Sequence, residues 1–215
     1  CEVLRREAEA AGDAIWGTEP FRIGLWVGQR TTPNTSAQAD EAVRQLRGNQ
    51  QWNAQHGGVG SPHQVTNCPW CGSAIDGGKN IEVESFARGR GRTLVYCSDR
   101  LGACPFSRRQ SPGEGIPLLV VDEEIYRRLP SLLIATVDKF AQMPWNGKVQ
   151  MLFGRVSQYC KRHGFVSPEM EDSDHRAAGL LPSTKLQPHP PLRPPDLIIQ
   201  DELHLISGPL GSLTG

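Results

Sequence analysis

Pro195-Asp196-Leu197-Ile198-Ile199-Gln200-Asp201-Glu202-Leu203-His204 is the stretch on which the fold turns. Leu197-Ile198-Ile199 is a continuous apolar run, the pattern of a strand buried on both faces of a parallel sheet. Two adjacent carboxylates and then a histidine follow its C-terminal end. In open α/β sheets, ligands bind just outside the carboxyl ends of strands. A nucleotide-handling site needs one acid there to hold Mg²⁺ and a second beside the attacking water, and Asp201 and Glu202 are placed to supply both. The plainer reading of the same residues is a solvated acidic pair at a strand end.

Upstream, other segments carry the same sheet pattern. Phe21-Arg-Ile-Gly-Leu-Trp-Val-Gly28 reads as a strand ending in glycine, and Ile116 to Val121 as a second apolar strand. Leu132-Leu-Ile-Ala-Thr-Val-Asp-Lys-Phe140 reads as a buried strand running into the start of a helix. Strand-end hydroxyls and helix N-termini are natural phosphate contacts, so Thr136 is a candidate ligand and equally a helix cap. Helical segments lie between these strands. Leu4, Ala8, Ala11 and Ile15 form an apolar stripe near the start. Ser36 is placed to cap a helix over 37–47, with Ala37, Ala42, Val43 and Leu46 as its apolar side. Glu123 to Arg128 reads as a short helical turn closed by Pro130. Residues 147–162 read as helical, with Val149, Leu152 and Val156 on one side and Lys161, Arg162 and His163 suited to its C-terminus. Strands alternating with helices give an α/β fold.

A different pattern interrupts this alternation. Four of the six cysteines are grouped as Cys68-Pro-Trp-Cys71, Cys97 and Cys104, while Cys1 and Cys160 stand apart. A Cys-x-x-Cys turn in a long, non-repetitive chain points to metal binding rather than to a disulfide framework, and to a reducing compartment. Gly72 relieves the backbone so that two thiolates face one ion. Two β runs, Ile81 to Phe86 and Arg92 to Tyr96, form a hairpin through Arg88-Gly-Arg-Gly91. Cys97 and Cys104 close the site, across a gap wider than the usual two to four residues. Four thiolates leave no open position, so the zinc they imply is structural. His56 and His63 read as ordinary loop histidines. Arg88, Arg90, Arg92, Arg100, Arg108 and Arg109, interleaved with Tyr96 and Phe106, read either as a nucleic-acid grip or as a solvated basic face.

The domain organisation expected is an α/β core over 1–50, a four-cysteine insertion over 51–112, core again over 113–163, a connection over 164–195, and the acidic strand with its following turn over 196–215. Seven prolines and an acidic run mark 164–195 as a long, mobile linker that packs no core. The chain has 215 residues and a formal net charge of zero, so any nucleic-acid binding must come from a local patch. No apolar run approaches the roughly 20 residues of a membrane span. The chain starts at Cys1, inside helix-like sequence, and reads as an internal piece of a longer protein.

Taken in order, three blocks resemble the first RecA-like domain of superfamily two helicases. Phe21 to Gly28 resembles the strand before the nucleic-acid motifs. Ile134-Ala-Thr-Val-Asp-Lys-Phe140 resembles the motif whose threonine takes a backbone phosphate. Asp201-Glu-Leu-His204 resembles the Walker B box. The longer run Ile199 to Gly211, with the four-cysteine insertion, is most similar to the helicase component of the bacterial DISARM anti-phage system. The resemblance implies a partial RecA-like parallel sheet carrying a zinc-ribbon-like insertion. It implies ATP and Mg²⁺ in the full-length protein, with Asp201 holding Mg²⁺ through water. Glu202 would orient and deprotonate the attacking water, and His204 would couple hydrolysis to the other motifs. Thr136, Asp138 and Lys139 would lie along nucleic acid, with Arg88, Arg90 and Arg92 of the insertion as further contacts. DNA, a partner subunit of a defence complex and a cytoplasmic setting follow from the same resemblance. No Gly-x-x-x-x-Gly-Lys-Ser/Thr loop occurs in the chain, so this piece alone is expected neither to bind ATP well nor to hydrolyse it. Two other readings use the same residues. One is a non-enzymatic zinc module binding nucleic acid or a partner on an α/β scaffold. The other is a nuclease or hydrolase using Asp201, Glu202 and His204 around a metal directly.

Overall fold

The apolar runs assemble into one parallel sheet. The computed structural model describes residues 1–48, 60–84, 91–167, 175–177 and 182–202. In chain order its main elements are α1 (Glu2–Ala10), β1 (Ile23–Trp26), α2 (Ser36–Arg47), β2 (Ile81–Glu84), β3 (Arg92–Val95) and β4 (Leu118–Leu119). There follow α3 (Asp122–Arg128), β5 (Leu132–Thr136), α4 (Val137–Ala141), β6 (Gln158–Cys160), β7 (Gly164–Val166), β8 (Gln187–Pro188) and β9 (Leu197–Asp201). The main sheet runs β4-β1-β5-β9 with every pair parallel, and helices flank it. The fold is mixed α/β, as the alternation of strand and helix patterns predicts.

The core lies where this sheet meets α3 and the 3-10 turn Gly147–Phe153. Trp26, Leu133 and Ala135 from the strands bury against Ile125, Tyr126, Val149, Met151 and Leu152. Each fully buried large side chain contributes about 1.5–3 kcal/mol of transfer free energy. Trp26 meets the edges of Tyr126 and Phe140 at ring separations of 6.0 and 5.9 Å. Its Nε1 donates to the Tyr126 hydroxyl at 3.2 Å, so the buried indole N–H has a partner. Gly24 permits this packing, because a Cβ there would lie 2.8 Å from Pro130 Cγ.

Several local expectations are corrected. In α1 the apolar stripe does not face inward: Leu4 and Ile15 are exposed, and Glu2 and Arg5 are buried instead. The guanidinium of Arg5 grips Glu2 through two bonds of 2.9 Å and also reaches the Thr18 carbonyl, while Glu2 accepts the Phe21 amide. A fully hydrogen-bonded ion pair can occupy an interior that hydrophobic periodicity assigns to leucine. The cap of α2 is Thr35, whose side chain accepts the Gln38 amide, and Ser36 is the first helical residue. Ala39, Ala42 and Val43 form its buried face, with Ala37 outside.

Residues 147–162 do not form one helix. Gly154, at φ +79°, ends a 3-10 turn, and Gln158–Cys160 then pairs with Gly164–Val166 as an antiparallel hairpin. The described part of the proline-rich segment is also less free than its composition suggests. Gln187–Pro188 pairs with β6, and the His189 and Leu192 amides donate to the Ser157 and Gly154 carbonyls. Proline is tolerated at such an edge because its missing donor is not needed there. Finally, β9 is an edge strand among the described residues, and Leu197, Ile198 and Ile199 are 51%, 39% and 44% exposed rather than buried. Nothing described covers their faces.

Candidate metal centre and sheet-edge site

The cysteine module and the carboxyl edge of the main sheet both gather chemistry-bearing side chains. The module is built on β2 and β3, which pair antiparallel from Ile81↔Val95 to Glu84↔Arg92. Its core, with Ile75, Ile81, Val95 and Phe106, is continuous with Val43 of α2 and with Ile116. Arg47 of α2 donates to the Gly78 and Ile81 carbonyls, and Arg6 of α1 to those of Pro105 and Gln110. The module is therefore packed onto the flanking helices.

Two turns present the sulfurs. In the first, the Cys68 amide donates to the Ser73 carbonyl at 2.8 Å and the Gly72 amide returns to the Cys68 carbonyl at 2.9 Å. Gly72, at φ +75°, takes the left-handed conformation this reversal needs. In the second, Asp99 fills the wide gap between Cys97 and Cys104. Its carboxylate accepts the amides of Leu101, Ala103 and Cys104 at 3.1, 2.8 and 2.8 Å. The Asp99 amide itself donates to Cys97 Sγ at 3.3 Å. All four sulfurs lie within 4.8 Å of one another, with Cys68–Cys104 at 3.7 Å and Cys71–Cys97 at 3.4 Å. A tetrahedral zinc with Zn–S bonds of about 2.3 Å sets sulfur–sulfur edges of about 3.8 Å. The four cysteines could therefore hold one metal ion.

The thiols differ in acidity. Hydrogen bonds from the Ser73 hydroxyl and amide, and then from Cys97, hold exposed Cys71 down at about 6. Burial pushes the Cys97 and Cys104 thiols up. A divalent cation would replace protons at all four, since thiolate is the ligating form. His63 is not a ligand: its Nε2 lies 2.9 Å from the Ile75 carbonyl.

The basic and aromatic residues of the module are arranged differently from a stacking platform. Tyr96 and Phe106 are 2% and 7% exposed, so neither offers a face to a base. Arg92 is paired with Glu114, and Arg108 lies over the Tyr96 ring and pairs with Glu82. Arg100 and Arg109 are exposed. Arg88, Arg90 and His56 lie outside the described residues.

At the sheet edge, register decides what meets. Thr136 is the last residue of β5 and pairs with Asp201, the last residue of β9. The Thr136 hydroxyl donates to the Asp138 carboxylate, which fixes both side chains. Asp138 is exposed, and a Cβ added to Gly28, just beyond β1, would meet its Oδ2 at 3.6 Å. Asp201 and Glu202 are exposed, and Asp201 Oδ1 accepts the Glu202 amide at 2.8 Å. Glu202 has φ +58°, a conformation that costs a non-glycine residue about 1–3 kcal/mol and clusters at functional sites. The carboxyl ends of three parallel strands thus bring Gly28, Thr136, Asp138, Asp201 and Glu202 to one side of the sheet. His204 lies outside the described residues.

Lys139, expected along nucleic acid, is buried and paired within the fold. It is 3% exposed, and its ammonium lies 2.6 Å from Asp122 Oδ2 and 3.4 Å from Asn34 Oδ1. The side chain of α4 turns inward, because a buried Asp122 at the start of α3 needs a cation.

No family model matches the chain. Along its whole length it is similar to DISARM protein DrmA of Bacillus paralicheniformis (strain ATCC 9945a / NCIMB 11709 / CD-2), with 34% identity over 220 residues. The chain spans 18% of that protein's length. An identity of this size over the whole chain makes it a relative of one stretch of DISARM protein DrmA.

Proposed function

We propose that the chain is part of the motor core of an ATP-dependent nucleic-acid helicase or translocase acting in anti-phage defence. One observation carries the reading: the Thr136↔Asp201 pairing, which sets an acidic pair beside a candidate phosphate-contacting threonine at the carboxyl edge of a parallel sheet. Asp201 would hold Mg²⁺ through water, and Glu202 would orient the attacking water and accept its proton. When bound, Mg²⁺ would neutralise charge on the phosphoryl group being transferred. Thr136, held by Asp138, would contact the nucleic-acid backbone, with DNA as the expected polymer. His204 would couple the site to motifs elsewhere in the protein. The similarity to DISARM protein DrmA supports the defence role and a partner subunit in a defence complex.

The cysteine module is proposed to bind structural zinc, since four thiolates close the tetrahedron. Cysteines grouped for metal binding suit a reducing, cytoplasmic setting. Among the described residues no helix is long and apolar enough to cross a membrane.

The test is ATP turnover by the whole protein, with and without single-stranded DNA, for wild type and Glu202→Gln. The expected result is DNA-stimulated hydrolysis that drops about 100-fold or more in the variant, the usual weight of a general base. Unchanged turnover would remove Glu202 from the chemistry.

A further inference from the structure

Cys160 stands apart from the four-cysteine group in sequence, yet it has its own metal-binding neighbours. It ends β6, and the chain reverses through Lys161 and Arg162 to His163 before β7 begins at Gly164. The result is a Cys-x-x-His turn on a β-hairpin. Its Sγ lies 3.6 Å from His163 Nδ1 and receives the His163 backbone amide at 3.5 Å. The same sulfur–amide contact occurs at Cys97 in the four-cysteine group. His175 comes from the following connection, and its ring meets that of His163 edge-on at 5.0 Å. One ligand atom from each of Cys160, His163 and His175 lies within 4.8 Å of the others.

We infer that Cys160, His163 and His175 form a second metal site, selective for zinc-like divalent cations. A zinc ion with Zn–S of about 2.3 Å and Zn–N of about 2.0–2.1 Å sets a tetrahedral sulfur–nitrogen edge of about 3.6 Å. The Cys160–His163 separation has that value. Two of the three ligands are fixed by the fold. Cys160 and His163 are 0% and 1% exposed. The His163 carbonyl accepts Arg127 Nη1 at 2.7 Å, which ties the turn to α3. Gly164, at φ +86°, allows the close approach, because a Cβ there would lie 2.3 Å from the Arg127 carbonyl.

The mixed set of one thiolate and two imidazoles selects zinc over magnesium or calcium, which prefer oxygen. Binding releases the Cys160 thiol proton to solvent, and both histidines ligate as neutral imidazoles. Among the described residues the site has three protein ligands, one short of the four-thiolate site's closed tetrahedron. The His175 carbonyl accepts the Thr184 amide at 2.9 Å, and the Thr184 hydroxyl lies 3.6 Å from Cys160 Sγ. Metal at this point would therefore fasten the connection leading to β9 onto the β6–β7 hairpin.

The whole protein, purified with zinc supplied, provides the test. Elemental analysis should find one zinc fewer per chain in His175→Gln and in Cys160→Ser than in wild type. Cys71→Ser should lose a different equivalent. Cobalt added to metal-free Cys71→Ser protein should still occupy the second site, giving weak single-thiolate charge-transfer absorption that disappears when Cys160→Ser is added. That second measurement decides the matter even where one variant folds poorly. Unchanged zinc content in both site variants, or no such cobalt signal in Cys71→Ser, would overturn the inference.

Discussion

The cysteine module and the sheet edge solve opposite problems. The module completes its site inside about 40 residues: four sulfurs, two turns and the Asp99 carboxylate that binds three amides together. The sheet edge gathers residues from three strands, yet among the described residues its outermost strand leaves three apolar side chains partly uncovered. A run such as Leu197-Ile198-Ile199 is the composition of a strand covered on both faces. A self-contained cysteine module can thus be read whole from a short stretch, whereas a sheet-edge site depends on residues that are distant from one another in the chain.

The sharpest way to break this contrast is to disrupt the metal site proposed for the module. Cys97→Ser should remove the one zinc proposed for the module and loosen the turns at 66–75 and 97–107. Structural zinc is worth about 10–16 kcal/mol in small peptides, so the loss should be the largest effect on the chain. Amide exchange is the measurement. Protection in both turns should fall by at least about 100-fold while β5 amides keep theirs. Equal loss in β5 would mean that module and sheet are one cooperative unit.

The next test strikes the layer beneath the sheet edge. Lys139→Met leaves Asp122 buried without its cation, a change that typically costs about 3–5 kcal/mol. Thermal unfolding should show it, and adding Asp122→Asn should restore most of the stability. Full stability in Lys139→Met alone would return the lysine to the list of nucleic-acid contacts. Asp99→Ala sharpens the module's side. It touches no metal, but it frees the amides that hold Cys104 in place, so zinc affinity should fall about 10–100-fold, as for other supporting residues. A competition titration with a metal-sensitive dye reads that change.

What the sequence showed and hid follows from the same contrast. Cys68-x-x-Cys71 and the two β runs were legible because a metal turn is local. The parallel strands were legible because continuous apolar runs have few other uses. Period alone could not tell that α1 buries Arg5 and exposes Leu4, since a bidentate ion pair is decided by the loop it meets. The helix expected over 147–162 failed at Gly154, whose φ of +79° ends the turn and frees Tyr159 and Phe165 to face each other across a hairpin. The Cys160-x-x-His163 spacing is present in the sequence, but the apolar spacing of Val149, Leu152 and Val156 assigns the same stretch to the end of a helix. The inward turn of Lys139 had no sequence signal, since Asp122 is distant in the chain.

The smallest effect tests the joint between the two regions. Glu114 lies between the module and β4, and accepts Arg22 Nε at 2.7 Å and Nη2 at 3.1 Å. It also pairs with Arg92 of β3. Burial alone would raise its pKa, but Arg22, Arg92 and Arg128 outweigh burial and hold the carboxyl below its ordinary value of 4.5. The folded state therefore sheds this proton more readily than the unfolded chain. Between the lowered value and about 4.5 the unfolded state binds more protons, so stability rises with pH there and is lost as pH falls. One group can supply a slope of at most about 1.4 kcal/mol per pH unit. Unfolding midpoints measured from pH 3 to pH 6 should show this slope in the wild type, and Glu114→Gln should flatten it while lowering stability at neutral pH. An unchanged slope in the variant would place the acid sensitivity outside this joint, and the module and sheet would then be held together by packing rather than by charge.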